Sequence, residues 1–181
     1  EGLRHNRNAT GVQAFRAAMA AVREAVPAKV LILGCNVPTL AGLEYFDSLR
    51  IGPDINRVGK GHVGPNGEHA NMVWGSSKGV ITTPGSDAQT LAAQARAVAR
   101  SFYFHGTLAI NDPDPVLVTP DYTLEEARAH MTLVAITGGS LFLGDRLDTL
   151  PPDRAALLTH PEVLDIWREG RQATPLDLFS G

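Results

Sequence analysis

Lys29-Val30-Leu31-Ile32-Leu33-Gly34-Cys35 is a continuous apolar run bounded by turn residues. Too short for a helix of ordinary length, it reads as a strand buried on both faces of a parallel sheet. The segment before it is helical in pattern. Val12, Phe15, Met19, Val22 and Val26 recur at three- and four-residue steps between Thr10 and Val26, and Pro27 then stops the helix. A helix followed by a buried strand predicts a β/α architecture.

The alternation continues downstream. Leu40 to Phe46 predicts a short helical turn, and Ser48-Leu49-Arg50-Ile51-Gly52 a second short strand that runs into Pro53-Asp54. Arg57 to Pro84 is glycine-rich, carries Lys60, His62, His69 and Trp74, and has no sustained period. It predicts a long loop that carries function or covers a site, although its His and Trp residues fit plain loop positions as well. Ser86-Asp87 can cap a helix from Ala88 to Phe104, after which Gly106 to Ile110 predicts a third strand leading into Asn111-Asp112-Pro113-Asp114. Thr123-Leu124-Glu125-Glu126 has the form of a capping box opening a helix to about Ile136. Ser140 to Leu143 predicts a fourth strand ending at Gly144-Asp145-Arg146, Pro151-Pro152-Asp153 starts one more helix, and Thr174 to Gly181 looks like an exit segment.

Composition narrows the function classes. The 181 residues carry a net charge of −3 and are 44% hydrophobic, as in ordinary soluble domains. There is no Lys/Arg block or basic-aromatic stripe, so neither nucleic acid nor an anionic membrane is expected as a partner. The longest apolar stretch, Met131 to Leu143, is interrupted by Gly138-Gly139 and is too short to span a bilayer. Cys35 is the sole cysteine, which rules out an internal disulfide and a multi-cysteine metal cluster. The chain opens on polar residues without a signal-like segment, and its compartment, cytoplasmic or secreted, stays open.

In both a β/α barrel and a doubly wound sheet, functional groups gather where strands end. Here those ends read Gly34-Cys35-Asn36, Arg50-Ile51-Gly52-Pro53-Asp54, Asn111-Asp112-Pro113-Asp114 and Gly144-Asp145-Arg146. Gly138-Gly139 precedes a strand rather than opening a helix, which argues against a phosphate loop. Carboxylates beside one Arg, with no metal-ligand set, suit sugar chemistry: one carboxyl protonates a leaving oxygen and another attacks the anomeric carbon or activates water. Strand-end Asp residues also serve as helix caps and turn formers, and Asp112 beside Pro113 and Asp145 fit that role. Arg50 with Asp54 reads either as a surface ion pair or as a pair turned by Gly52-Pro53 toward one mouth. Cys35 alone fits packing as readily as chemistry.

Taken together, Leu33-Gly34-Cys35-Asn36-Val37-Pro38, Arg50-Ile51-Gly52-Pro53-Asp54, Asn111-Asp112-Pro113-Asp114 and Gly138-Gly139 through Gly144-Asp145-Arg146-Leu147 resemble, in order and spacing, the second half of the α-galactosidase (melibiase) barrel. The resemblance runs from about Thr10 to about Leu158. It implies an α/β fold, half of a (β/α)8 TIM barrel holding strands five to eight. Residues 1–160 would be the C-terminal half of the catalytic barrel, and 161–181 an exit segment towards a further region. It implies Asp54 as general acid/base, Arg50 as a substrate contact, Cys35 against the sugar ring, Asp114 lining the pocket and, more weakly, Asp145 at its rim. The parent would be a retaining α-glycosidase, with α-galactosides as the first substrate expectation and no metal or organic cofactor. The nucleophile of that family, in a Lys-x-Asp type motif, has no counterpart in this chain, so the expected partners are a carbohydrate substrate and the N-terminal half-barrel, or a second chain supplying it. The alternative is a non-catalytic carbohydrate-binding or assembly half-barrel.

Overall fold

The structure, a computed structural model, describes residues 6, 8–52, 54–55, 62–63, 69–70 and 91–178. Helix α1 (Gly11–Ala25) begins at a reciprocal cap: Gln13 N–H donates to Thr10 Oγ1 and Thr10 N–H donates to Gln13 Oε1. Two arginines moor it. Arg16 lies over the Tyr45 ring, 5.4 Å from its centroid, and pairs with Glu44. Arg23 donates to both oxygens of Asp47 at 2.9 and 3.1 Å, and the same carboxylate accepts Ile32 N–H at 2.8 Å. The Ile32 N–H, followed by Arg23, holds the Asp47 carboxyl below its ordinary pKa. Asp47 therefore ties α1 and the segment entering β1 to the segment entering β2.

A mixed α/β fold is built on a small parallel sheet. β1 (Leu33–Gly34) precedes the single-turn helix α2 (Thr39–Gly42) and is followed by β2 (Ser48–Arg50). β3 (His62–Val63) and β4 (His69–Ala70) pair antiparallel within the long segment read as a loop. The rest of 57–84, and with it the expected cover over a site, lies outside the described residues, as do Ser86-Asp87. Helix α3 (Leu91–Arg100) and a 3-10 turn at Phe102–Phe104 then lead into β5 (Ile110–Asp112). The sheet order is β1-β2-β5, with Leu33 beside Ser48, Leu49 beside Asn111 and Arg50 beside Asp112.

Three strand expectations need correction. The run 29–35 narrows to Leu33–Gly34, because Val30 N–H turns back onto Pro27 O at 2.9 Å. Leu31 is 70% exposed instead of buried on both faces, at a sheet edge. Gly106 to Ala109 forms the turn that enters β5: Gly106 has φ 70, its N–H reaches Ala109 O, and Leu108 N–H reaches Phe104 O. The strand therefore starts at Ile110, and Asn111 and Asp112 belong to it. Ser140 to Leu143 runs parallel to the 111–116 segment but makes only a bridge, through Ser140 N–H to Asn111 O, Val116 N–H to Phe142 O and Gly144 N–H to Val116 O. The physical reason lies opposite: Pro113 and Pro115 have no N–H to donate, and Asp114 between them sits in the left-handed region at φ 76.

Helix α4 (Leu124–Thr137) carries the expected Thr123–Glu126 capping box and ends at Gly138, φ 65. It packs against α5 (Pro152–Leu158), α6 (Pro161–Arg168) and α3. Val116, Leu117, Val118, Tyr122, Ala127, Met131 and Val134 form the core, with Leu157, Leu158, Val163 and Leu164 packed on it. Removing one such side chain from water contributes about 1.5–3 kcal/mol. α6, which the sequence pattern does not mark, is fastened by Trp167 Nε1–H donating to Gly139 O at 2.8 Å. Gly139 has no alternative: a side chain there would collide with the Asn111 carbonyl. Among the described residues no helix is long and apolar enough to cross a membrane.

Candidate active site

At the C-terminal ends of the paired strands β2 and β5, one arginine gathers three carboxylates. The parallel register puts Arg50 directly beside Asp112, and Arg50 Nε donates to Asp112 Oδ2 at 2.9 Å. Nη2 reaches Asp114 Oδ1 at 2.7 Å, and Nη1 reaches Asp54 Oδ1 at 2.9 Å. Each guanidinium nitrogen thus has its own carboxylate, the fixed-fork geometry in which arginine excels. The Arg50–Asp54 pairing read from spacing is not an isolated pair: the Arg50 side chain is only 12% exposed and is shared with two further carboxylates, while Asp54 is 42% exposed.

The carboxylates differ in what they have left to offer. Asp112 is 1% exposed, and its second oxygen accepts the N–H of Asp114 at 3.0 Å. That bond, with the left-handed Asp114 backbone, makes a local turn of the kind Asp supports. Asp114 is 7% exposed, and its other oxygen accepts Ile55 N–H. Asp54 is 42% exposed. It is the member of the cluster that a ligand can reach, held from behind by Arg50.

Burial most strongly, and then the electrostatics, set the ionisation. Around Arg50 stand three negative charges against one positive. Burial pushes the Asp114 carboxyl up to about 6, with the charges of Asp54 and Asp112 adding to it and the Ile55 N–H and Arg50 acting the other way. For Arg50, burial works against the charge, but the bond and charge of Asp112, the charge of Asp114 and then the nearby Cys35 sulfur outweigh it and hold the guanidinium above its ordinary value. Cys35, exposed at the end of β1, is therefore within electrostatic range of the cluster, and Asn36 beyond it sits at φ 53. Asn36 and Asp114 both take left-handed backbone just beyond a strand end, a conformation that Asn and Asp adopt more readily than other residues with side chains.

A pH dependence follows from Asp114. Its folded value of about 6 lies above its ordinary 3.8, so the folded state holds a proton that the unfolded chain releases. The stability it contributes is complete below about pH 4 and is lost as the pH rises through about 6. Asp114→Asn should remove that slope. Measured against wild type, its Tm should be relatively higher near pH 7.5 than near pH 4.5, and equal differences at both would show that Asp114 titrates normally.

Asp145 is placed differently. Its Oδ2 accepts Val118 N–H at 2.6 Å, so it brackets the chain beyond β5, while its Oδ1 is buried without a partner among the described residues. Among the described residues it does not touch the Arg50 cluster. The residue that sequence reasoning passes over is Asp112, a turn former by its place beside Pro113 and yet the most buried partner of Arg50. Its signal is the strand boundary: once Gly106–Ala109 is recognised as a turn, the strand runs from Ile110 to Asp112 and brings Asp112 beside Arg50. Among the described residues no group of three or more His, Cys, Asp or Glu is placed to hold a metal ion.

No family model matches the chain. Among solved structures, a "putative alpha-galactosidase" from Bacteroides fragilis is similar over 93% of this chain, with a TM-score of 0.63 and 16% sequence identity. The match takes in 36% of that protein, so this chain spans little more than a third of its length. At such identity the likeness shows a shared α/β fold and leaves the chemistry to the site.

Proposed function

We propose that this chain is the C-terminal half of a (β/α)8 barrel in a retaining α-glycosidase, with terminal α-galactosides as the favoured substrates and Asp54 as general acid/base. The observation that carries the reading is the arginine-centred carboxylate cluster at the C-terminal ends of parallel strands, with Asp54 as its exposed member. Barrel enzymes place their chemistry on that side. In the retaining mechanism Asp54 protonates the departing oxygen while a second carboxylate, about 5–5.5 Å away, attacks the anomeric carbon; Asp54 then takes the proton from the water that releases the sugar. The nucleophile comes from the other half of the barrel. Arg50 orients the ring beside Asp54, Cys35 and Asp114 line the pocket, and Asp145 stands near its rim.

The partner half is supported by what the sheet leaves uncovered. Leu31 is 70% exposed beside β1, and Phe142 and Leu143 are 51% and 44% exposed along the bridged segment at the opposite side. Apolar residues on both borders of a parallel sheet suit further strands laid against each. The test is an assay of the full-length protein carrying this chain on a panel of aryl α-glycosides, with the first-formed anomer followed by proton NMR. Hydrolysis of the α-galactoside releasing α-galactose first is expected. Release of the β-anomer first, or no turnover of any α-glycoside, would overturn the reading.

A further inference from the structure

Gln94 stands out among the buried polar side chains. It lies on α3 at 0% exposure, and among the described residues neither its Oε1 nor its Nε2 has a hydrogen-bond partner. Burying a free amide is unfavourable, and native proteins keep few such groups without a functional reason. Its surroundings point to one. The amide fills the space a side chain at position 52 would need: a Cβ added at Gly52 would collide with Gln94 Oε1 and stand 3.0 Å from Ala97 Cβ. Gly52 lies between Arg50 and Asp54, on the turn that carries Asp54 away from β2. Ile51, one residue earlier, is already fixed to β5, its N–H reaching Asp112 O at 3.0 Å.

The chain is thus pinned at Ile51 by the sheet and at Ile55 by Asp114, and Gln94 abuts Gly52 between them with its amide oxygen and amide nitrogen both unused among the described residues. We propose that Gln94 is a positioning residue for Asp54: when a ligand settles on the Arg50–Asp54 mouth, a small shift of the turn lets Gln94 accept the Gly52 N–H and donate to the Gly52 carbonyl, locking Asp54 in place. Glycine at 52 is what allows the amide to come that near. The inference rests on the assignment of Asp54 as general acid/base. Its energetic sense is that the unbound state carries the unsatisfied amide and the bound state relieves it.

This arrangement has a signature that a packing role does not share. Gln94→Met keeps the shape and removes both polar atoms, so in the full-length protein it should raise Tm, by about 2 °C, because an unpartnered amide is removed. The same change should lower kcat roughly tenfold to hundredfold on substrates whose leaving group needs protonation, as a misplaced catalytic carboxyl does. It should spare activated aryl glycosides and leave KM nearly unchanged. Hydrogen exchange at Gly52 in wild type should slow on adding galactose, and in Gln94→Met it should not. A lower Tm with unchanged kcat would make Gln94 a packing residue and overturn the inference, as would Gly52 exchange that ignores the sugar. If Asp54→Asn is itself fully active, the assignment of Asp54 falls; if Asp54→Asn is impaired while Gln94→Met is not, only the clamp falls.

Discussion

Arg50→Ala is expected to destabilise the fold by about 3–5 kcal/mol, the usual consequence of removing one partner from a buried ionic cluster. The reason is that more than one bond disappears. Three carboxylates face this single guanidinium, two of them almost wholly buried, and without it Asp112 and Asp114 would stand side by side with no opposing charge. Asp114, already pushed up to about 6, would rise further and take a proton, which caps the penalty. The turns at Asp54–Ile55 and Asp112–Asp114 would loosen together, since both close on the same cluster. Urea denaturation of the full-length protein at neutral pH measures the effect. Arg50→Lys should fall between wild type and Arg50→Ala, because an ammonium restores the charge but cannot serve three carboxylates in one plane. A change below about 0.5 kcal/mol for Arg50→Ala would mean that the cluster is solvated and structurally idle. On the proposed role of Arg50 as a substrate contact, Arg50→Ala should weaken sugar binding as well as turnover, because a contact made in both the ground state and the transition state is lost.

How much of this is legible in the sequence depends on which force sets each feature. The capped helices are legible, because Thr123 with Glu126 and the apolar spacing from Val12 to Val26 are local signals that tertiary packing does not override. The strands are less so. A stretch such as Lys29 to Cys35 announces burial without saying which residues find a neighbour, and only Leu33 and Gly34 do. Gly106-Thr107-Leu108-Ala109 carries the apolar content of a strand, yet the left-handed Gly106 closes a turn, a distinction that composition does not make. Arg50, Asp54 and Asp114 stand out in the sequence and are brought together; Cys35 is within electrostatic range of them, and Asp145 is a backbone bracket beyond β5. The roles of Asp112, read from sequence only as a turn former, and of Gln94 are not legible there, because each is defined by a residue distant in sequence: Arg50 across the sheet for one, Gly52 beneath the helix for the other. The arginine's three-way pairing likewise depends on strand register, which no single motif encodes.

Asp54→Asn in the full-length protein should slow turnover of oligosaccharides with poor leaving groups by roughly 10²–10⁴, the contribution ordinarily made by general acid/base catalysis. The starting point is accessibility. Asp54 is 42% exposed while Asp112 and Asp114 are 1% and 7% exposed, so it is the carboxyl in the cluster free to meet a glycosidic oxygen. Arg50 Nη1 holds one of its oxygens at 2.9 Å, which sets the direction of the other. Asparagine keeps the size and can still accept from Arg50, but it neither delivers nor removes a proton. The first step should therefore recover when the leaving group is an activated phenol that departs unprotonated. The second should then become limiting, because the water that frees the sugar has no base to deprotonate it. Azide, a nucleophile that needs no deprotonation, should restore turnover and divert the product to the glycosyl azide of retained configuration. Stability should change little, since Arg50 keeps Asp112 and Asp114. A variant with near-normal rates on natural oligosaccharides, or one that azide does not rescue on the activated substrate, would remove Asp54 from the acid/base role and leave it as a strand-end brace for Arg50.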